Sequence, residues 1–386
     1  MINVSSSHVL SAKEIHVNAM EKEVKKQLNK YKEIFRYLKD YKKDKSLTYS
    51  ADKRNNVKAV INLSNGKTNI SSDIDNQLKC ILYEYRKNAV KILEILNKIE
   101  PDIRNILQAD RNELITLIGT HNHSITGLID KKLNRIFKKI FNYEAFSAKS
   151  KTKYNGYTLT KNLKIIACPY CNRMYTLTVI CKPKTKTQDE RFITRPELDH
   201  YFPKSKYPLF ALSFYNLIPS CHICNNIKSD NADHTMMHHH PYLDDTKLEI
   251  SLDGIKYDDK SKKFNDYNEW DIVLDENGCD YTKNSIEVFH LAEVYGAHSQ
   301  IIEDMIERAQ EYNQTFIDNI KSLFQGIENP HNIAETIDIE FEKEELLERI
   351  FGVMPPEQDK SIPMNKFKRG MYKSIRAAQN ISTNVD

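Results

Sequence analysis

Hydrophobic positions recur with helical spacing at the start of the chain. Over residues 15–45, Val24, Leu28, Tyr31, Phe35 and Leu38 fall four and three apart, with Lys and Glu on the opposite face. This predicts a helix with one buried stripe. A polar stretch over 43–72, rich in Asn and Ser, breaks the pattern and reads as a loop. The period then resumes. Ile74, Leu78, Leu82, Tyr85, Ala89, Ile92, Leu96 and Ile99 share a face until Pro101, whose ring and missing N–H stop a helix. Shorter helices are predicted over 102–119 and 125–142. Residues 1–145 thus read as a helical region whose stripes suit a core better than a coiled-coil seam.

Past Lys161 the period changes. Residues 163–167 and 175–180 are β-rich and flank Cys168-Pro169-Tyr170-Cys171, the layout of a metal knuckle on a hairpin. Short strands are predicted within 246–281, with turn signals at Asp253-Gly254 and Glu276-Asn277-Gly278. Helical spacing returns from Ser285 through Val288, Leu291, Tyr295, Ile302, Met305 and Ile306. Another helix is predicted over 341–351, and a basic amphipathic helix over 364–378. The predicted class is α+β, mainly helical. It is divided into a helical region 1–145, a mixed domain 160–245, a short β-hairpin extension 246–284 and a C-terminal helical region 285–386.

Composition narrows the setting. No uninterrupted apolar run approaches the roughly 20 residues of a membrane helix, so no membrane association is expected. Met1-Ile2-Asn3-Val4-Ser5 lacks the basic start and apolar run of a signal peptide. Of seven cysteines, Cys80, Cys181 and Cys279 stand alone and four form two Cys-x2-Cys pairs. Without a secretion signal, such pairs favour metal over disulfides and a cytoplasmic location. Net charge is only +4, yet residues 148–206 hold 13 Lys or Arg against 4 Asp or Glu. A local basic excess of that kind suits a polyanion such as nucleic acid.

The paired cysteines are Cys168 and Cys171, then, after 49 residues, Cys221 and Cys224. Two short pairs suit tetrahedral Zn²⁺, and four thiolates leave no open coordination position, so this zinc is expected to be structural. Beside it lie Asp199, His200, Asn216, Asn225 and Lys228. Phosphodiester hydrolysis needs an activated water, a metal near the leaving oxygen and positive charge at the phosphate. Imidazole can deprotonate water near neutrality. Asp and Asn oxygens suit Mg²⁺ or Mn²⁺. Asn225 and Lys228 are three apart and would share a helix face.

These residues resemble the motif of HNH endonucleases, which have a ββα-metal (His-Me finger) fold, over roughly 163–245. The resemblance implies Asp199 and Asn225 as ligands of the catalytic ion. It further implies His200 as general base, Asn216 as the residue that orients it, and Lys228 as a phosphate or structural contact. The His-rich positions His234 and His238–His240 read as a solvated or nucleic-acid-facing loop. His240-Pro241-Tyr242-Leu243 also resembles a segment that closes such domains. The long helical flanks and Met364-Asn365-Lys366-Phe367-Lys368-Arg369 are similar to HNH subunits of bacterial anti-phage systems of the Septu and retron-associated type. That similarity implies an ATPase or sensor partner docking on the helical regions. DNA is favoured over RNA as target; an RNA- or tRNA-cleaving nuclease and a non-catalytic zinc module that binds nucleic acid are the alternatives.

Overall fold

The computed structural model describes residues 1–40, 85–122, 130–150, 153–181, 191–231, 235–266, 269–312, 316 and 350–379. The first apolar stripe folds as α1 (Ser7–Asp40), burying Val17, Val24, Leu28, Phe35 and Leu38. Against it packs α2 (Ala89–Ile99), whose Ala89, Ile92, Leu96 and Ile99 form the predicted face. Each buried Val, Leu, Ile or Phe side chain here contributes about 1.5–3 kcal/mol by leaving water. The predicted loop over 43–72, the first part of the second stripe and most of the helix expected over 341–351 lie outside the described residues.

The helix expected over 102–119 is two helices, α3 (Ile103–Gln108) and α4 (Arg111–Asn122). Asp110 accepts from the Glu113 N–H, and Glu113 accepts from the Asp110 N–H, both at 2.9 Å. This reciprocal cap starts a new helix. Next come α5 (Asp130–Ile140), α6 (Tyr143–Ser147) and α7 (Gly156–Leu163). Asn155 caps α7 by accepting from the Tyr157 and Thr158 N–H groups. Leu163 therefore ends a helix rather than opening a strand. The expected knuckle hairpin shrinks to an Ala167–Tyr175 bridge, flanked by the bonds Cys168 N–H to Met174 O and Thr176 N–H to Ile166 O.

Among the described residues, four two-stranded antiparallel pairs follow. β1 (Val179–Cys181) pairs with β2 (Arg191–Thr194). β3 (Glu197–His200) pairs with β4 (Leu217–Ser220), which leads into α8 (His222–Lys228). β5 (Glu249–Asp253) pairs not with its neighbours β6 (Tyr257–Asp258) and β7 (Lys263–Phe264), which pair with each other, but with β8 (Asp271–Asp275). Asp253-Gly254 thus opens an excursion between paired strands instead of a tight hairpin. Gly254 has φ +77°, and a Cβ there would lie 2.1 Å from the Glu269 carbonyl oxygen, so the turn needs glycine.

The helical stretch from Ser285 is interrupted. α9 (Asp280–Val288), α10 (Leu291–Gly296) and α11 (Ser299–Glu311) are separated near His290, which has φ 47°, and His298. The last described helix, α12 (Asn365–Ala378), lies across β5, with Gly370 where any Cβ would strike the Ile250 carbonyl. The protein is α+β and mainly helical. No described helix is long and apolar enough to cross a membrane. Among the described residues, the buried apolar side chains form one cluster that runs from Val24 through Phe137, Cys168, Ile218 and Leu252 to Ile375.

Candidate functional site

The two cysteine pairs converge although 49 residues separate them. Asn172, in the left-handed region at φ 53°, closes the first turn by donating from its N–H to the Cys168 carbonyl. Cys221 is the N-cap of α8, and its sulfur accepts from the Cys224 N–H at 3.4 Å. All four sulfurs are buried and lie within 4.8 Å of one another. Cys171 and Cys221 are 3.9 Å apart, close to the edge of about 3.8 Å that a tetrahedron with zinc–sulfur bonds of about 2.3 Å requires. Hydrogen bonds from Cys168, Cys221 and Cys224 push the Cys171 thiol down, whereas burial pushes Cys168 up and bonds from the other three push Cys224 up. Four thiolates this close together would need the charge of a bound cation. The four residues can hold a structural metal such as zinc.

The cluster is tied to the neighbouring strand through Tyr170, which lies inside the first pair. Its ring stacks on Phe289 at 4.3 Å, and its hydroxyl donates to Asp199 Oδ2 at 2.8 Å. Asp199 is 3% exposed. Its Oδ1 accepts from Lys228 Nζ at 3.1 Å, and the same ammonium donates to the His200 carbonyl at 2.7 Å. Lys228 is 0% exposed. Of the two roles implied for it, the phosphate contact is therefore corrected: its four-carbon stem carries the ammonium inward, beneath β3.

His200 ends β3 opposite Leu217. Its Nε2 lies 3.1 Å from the Ala211 carbonyl. A carbonyl can only accept, so Nε2 carries the proton and Nδ1 of the neutral ring is an acceptor. Burial pushes the imidazolium pKa down to about 3, with the charges of Lys204 and Lys228 adding to the effect. The ring meets Tyr143 edge-on at 4.4 Å. Asn216 makes its bonds elsewhere. Its Oδ1 accepts from the Phe202 N–H at 2.6 Å, and its Nδ2 donates to the Phe202 and Phe210 carbonyls at 3.1 and 2.9 Å. It closes the 202–211 loop whose Ala211 carbonyl holds His200, so the link expected between these side chains runs through that backbone.

Asn225, on α8, donates from Nδ2 to Glu197 Oε2, and His222 Nδ1 lies 2.8 Å from Glu197 Oε1. Burial alone would raise the Glu197 carboxyl, but the bonds from His222 and Asn225 hold it below its usual range. A cleft of about 360 Å³ brings Glu197, Asp199, His200 and Asn225 together with Tyr143 and Lys204. Lys204 Nζ sits 4.3 Å from the Tyr143 ring centroid, a cation–π arrangement, and partial burial lowers its pKa. Tyr170, Glu197, Lys204 and the Ala211 carbonyl escaped sequence reasoning. Two had a signal: Tyr170 sits within a Cys-x2-Cys turn, and Glu197 is two residues before Asp199 on the same strand face.

The cleft offers hard donors. Each Asp199 oxygen keeps a lone pair after accepting from Tyr170 or Lys228, and Asn225 keeps Oδ1. In donor type this fits Mg²⁺ or Mn²⁺, while the adjacent Lys228 charge weakens the carboxylate as a ligand. Among the described residues, the groups of three or more converging His, Cys, Asp or Glu ligands comprise the cysteine cluster alone.

The histidine run corrects another expectation. His238, His239 and His240 are buried, at 1%, 1% and 0% exposure, so they form no solvated loop. His239 Nε2 donates to the Asp244 carbonyl and His240 Nε2 to the Tyr215 carbonyl, at 2.9 and 2.8 Å. His234 lies outside the described residues. Comparison of the chain with known family models, curated proteins and solved structures found no match.

Proposed function

We propose that this protein is a metal-dependent endonuclease of the HNH type that hydrolyses phosphodiester bonds, with DNA the favoured target. The observation that carries the reading is His200: a neutral imidazole with Nε2 bonded to Ala211 and Nδ1 left as an acceptor, in one cleft with Asp199 and Asn225. The order of elements adds support, since two antiparallel strands lead directly into a short helix, as the motif requires.

In this reading His200 Nδ1 takes the proton of the attacking water. Burial keeps the ring unprotonated and also makes it a weak acceptor; an incoming phosphate's negative charge would strengthen it. Lys204, at the rim, meets the phosphate. Asp199 and Asn225 would hold a Mg²⁺ or Mn²⁺ ion, which when bound supplies positive charge to the leaving oxygen. The zinc-type cluster shapes the site without taking part in the reaction. We also infer an effector role beside an ATPase or sensor partner in anti-phage defence, tested by co-purification with the products of neighbouring genes.

Purified protein should nick or cut plasmid DNA with Mg²⁺ or Mn²⁺, and His200→Ala should lower the rate by about 10²–10⁴-fold while binding DNA normally. Cleavage at the wild-type rate by His200→Ala would sink the mechanism. Preferential cutting of tRNA over plasmid would move the target to RNA. Metal-independent binding with no cleavage of either would favour a non-catalytic zinc module.

A further inference from the structure

Glu197 and Asp199 leave β3 on the same face, because side chains alternate along a strand. That face meets the first turns of α8. There Glu197 Oε1 faces His222 Nδ1 at 2.8 Å, and Glu197 Oε2 accepts from Asn225 Nδ2 at 2.5 Å. A primary amide has two ends of similar size and opposite chemistry: the NH₂ donates, and only the oxygen can ligate a cation. A carboxylate cannot donate a hydrogen bond. Glu197 can therefore engage Asn225 only through Nδ2, and this fixes which way the amide is turned.

We propose that Glu197 is a positioning residue for the cation site of the cleft, locking the Asn225 amide so that Oδ1 is the end presented to a hard divalent ion. The proposal rests on the nuclease reading and adds a residue to it. Both Glu197 oxygens face α8 and each keeps a lone pair, as those of Asp199 do. The role assigned to Glu197 is to hold Asn225, and direct ligation would instead show as a further loss when Glu197→Ala is added to Asn225→Ala. Glu197 is not needed to hold α8 itself. Cys221 caps α8, Cys224 enters the sulfur cluster, and Lys228 anchors the far end to Asp199 and the His200 carbonyl. Removing Glu197 should thus free one amide while leaving the helix in place.

The test is a Mn²⁺ titration of the zinc-loaded full chain, followed by electron paramagnetic resonance, with no substrate. The site is defined as the binding lost in Asn225→Ala. Glu197→Ala should weaken Mn²⁺ binding by about 10–100-fold, the usual effect of losing an outer-shell partner, with zinc content and melting temperature unchanged. Glu197→Met, which keeps the stem and lacks the acceptor, should show the same loss, and Glu197→Gln, which retains an acceptor oxygen, should recover most of it. Adding Glu197→Ala to Asn225→Ala should change nothing further. Wild-type affinity in the alanine and methionine variants would overturn the proposal. So would an equal loss in the glutamine variant, or a full additional loss in the double variant. If Asn225→Ala itself leaves Mn²⁺ binding intact, the nuclease-site reading fails instead.

Discussion

A lysine with no exposed surface must compensate the desolvation of its ammonium, and Lys228 does so with Asp199 Oδ1 at 3.1 Å and the His200 carbonyl at 2.7 Å. Breaking a buried pair from one side leaves the other charge stranded, which typically costs about 3–5 kcal/mol. Lys228→Met should destabilise the protein by that order in denaturant unfolding, and adding Asp199→Asn should recover part of the loss. Lys204→Ala removes a charge at the cleft rim. It should change stability by no more than about 0.5 kcal/mol, weaken DNA binding and reduce the salt slope by about 1. Equal stability in Lys228→Met and wild type would refute the buried anchor. The spacing of Lys228 from Asn225 was legible, but spacing cannot tell which side of a helix a long stem will take. That choice is made by the buried Asp199 beneath it.

A seven-residue helix such as α8 is far below the length at which helices persist alone in water. Its order comes from the Cys221 cap, the sulfur cluster and Lys228. Removing the metal, or replacing Cys171 with Ser, should therefore abolish cleavage without altering any residue of the cleft. Metal analysis should give one zinc per chain, and chelation should lower the melting temperature. Cleavage that survives complete zinc loss would separate the cluster from the site. Elements of this kind were legible in the sequence where contacts are local: the two Cys-x2-Cys turns, the α2 face and the C-terminal amphipathic helix all follow from short spacing. The β5–β8 pairing was not, because the turn signal at Asp253-Gly254 opens an excursion and the partner strand arrives only after Trp270. The breaks near His290 and His298 were hidden too, since apolar periodicity continues through them.

Buried neutral histidines join distant parts of the molecule, and they make its stability depend on acid. His16 of α1 donates from Nε2 to the Leu212 carbonyl at 2.8 Å, while its Nδ1 faces the Tyr154 hydroxyl at 3.3 Å. His240 donates to the Tyr215 carbonyl, and its Nδ1 accepts from the Tyr242 N–H at 3.2 Å. The His240 ring is thus satisfied only in the neutral form, since a proton on its Nδ1 would point at another donor, while His16 is kept neutral by burial. Burial lowers His16 and His240 from 6.5 to about 4 and His239 to about 3. The polarity of His238–His240 suggested a surface loop because what covers the run comes from elsewhere in the chain: Tyr201 and Phe289 pack on the His238 ring, and the His240 ring donates to the distant Tyr215 carbonyl. The unfolded chain takes up protons near pH 6.5, whereas the folded chain resists until about pH 4. The stabilisation is complete above 6.5 and is lost as pH falls from there toward 4. Each ring contributes up to about 1.4 kcal/mol per pH unit within that window. Calorimetry from pH 7 to pH 5 should show a falling melting temperature, with about three protons taken up on unfolding at pH 5 from these rings. His16→Gln, which keeps an amide donor for Leu212, should reduce that uptake by about one proton. Because Leu212 follows Ala211, whose carbonyl holds His200, the same acidification should loosen the cleft as well as the fold. A melting temperature flat across this range would mean that the rings are solvated or already charged in the native state.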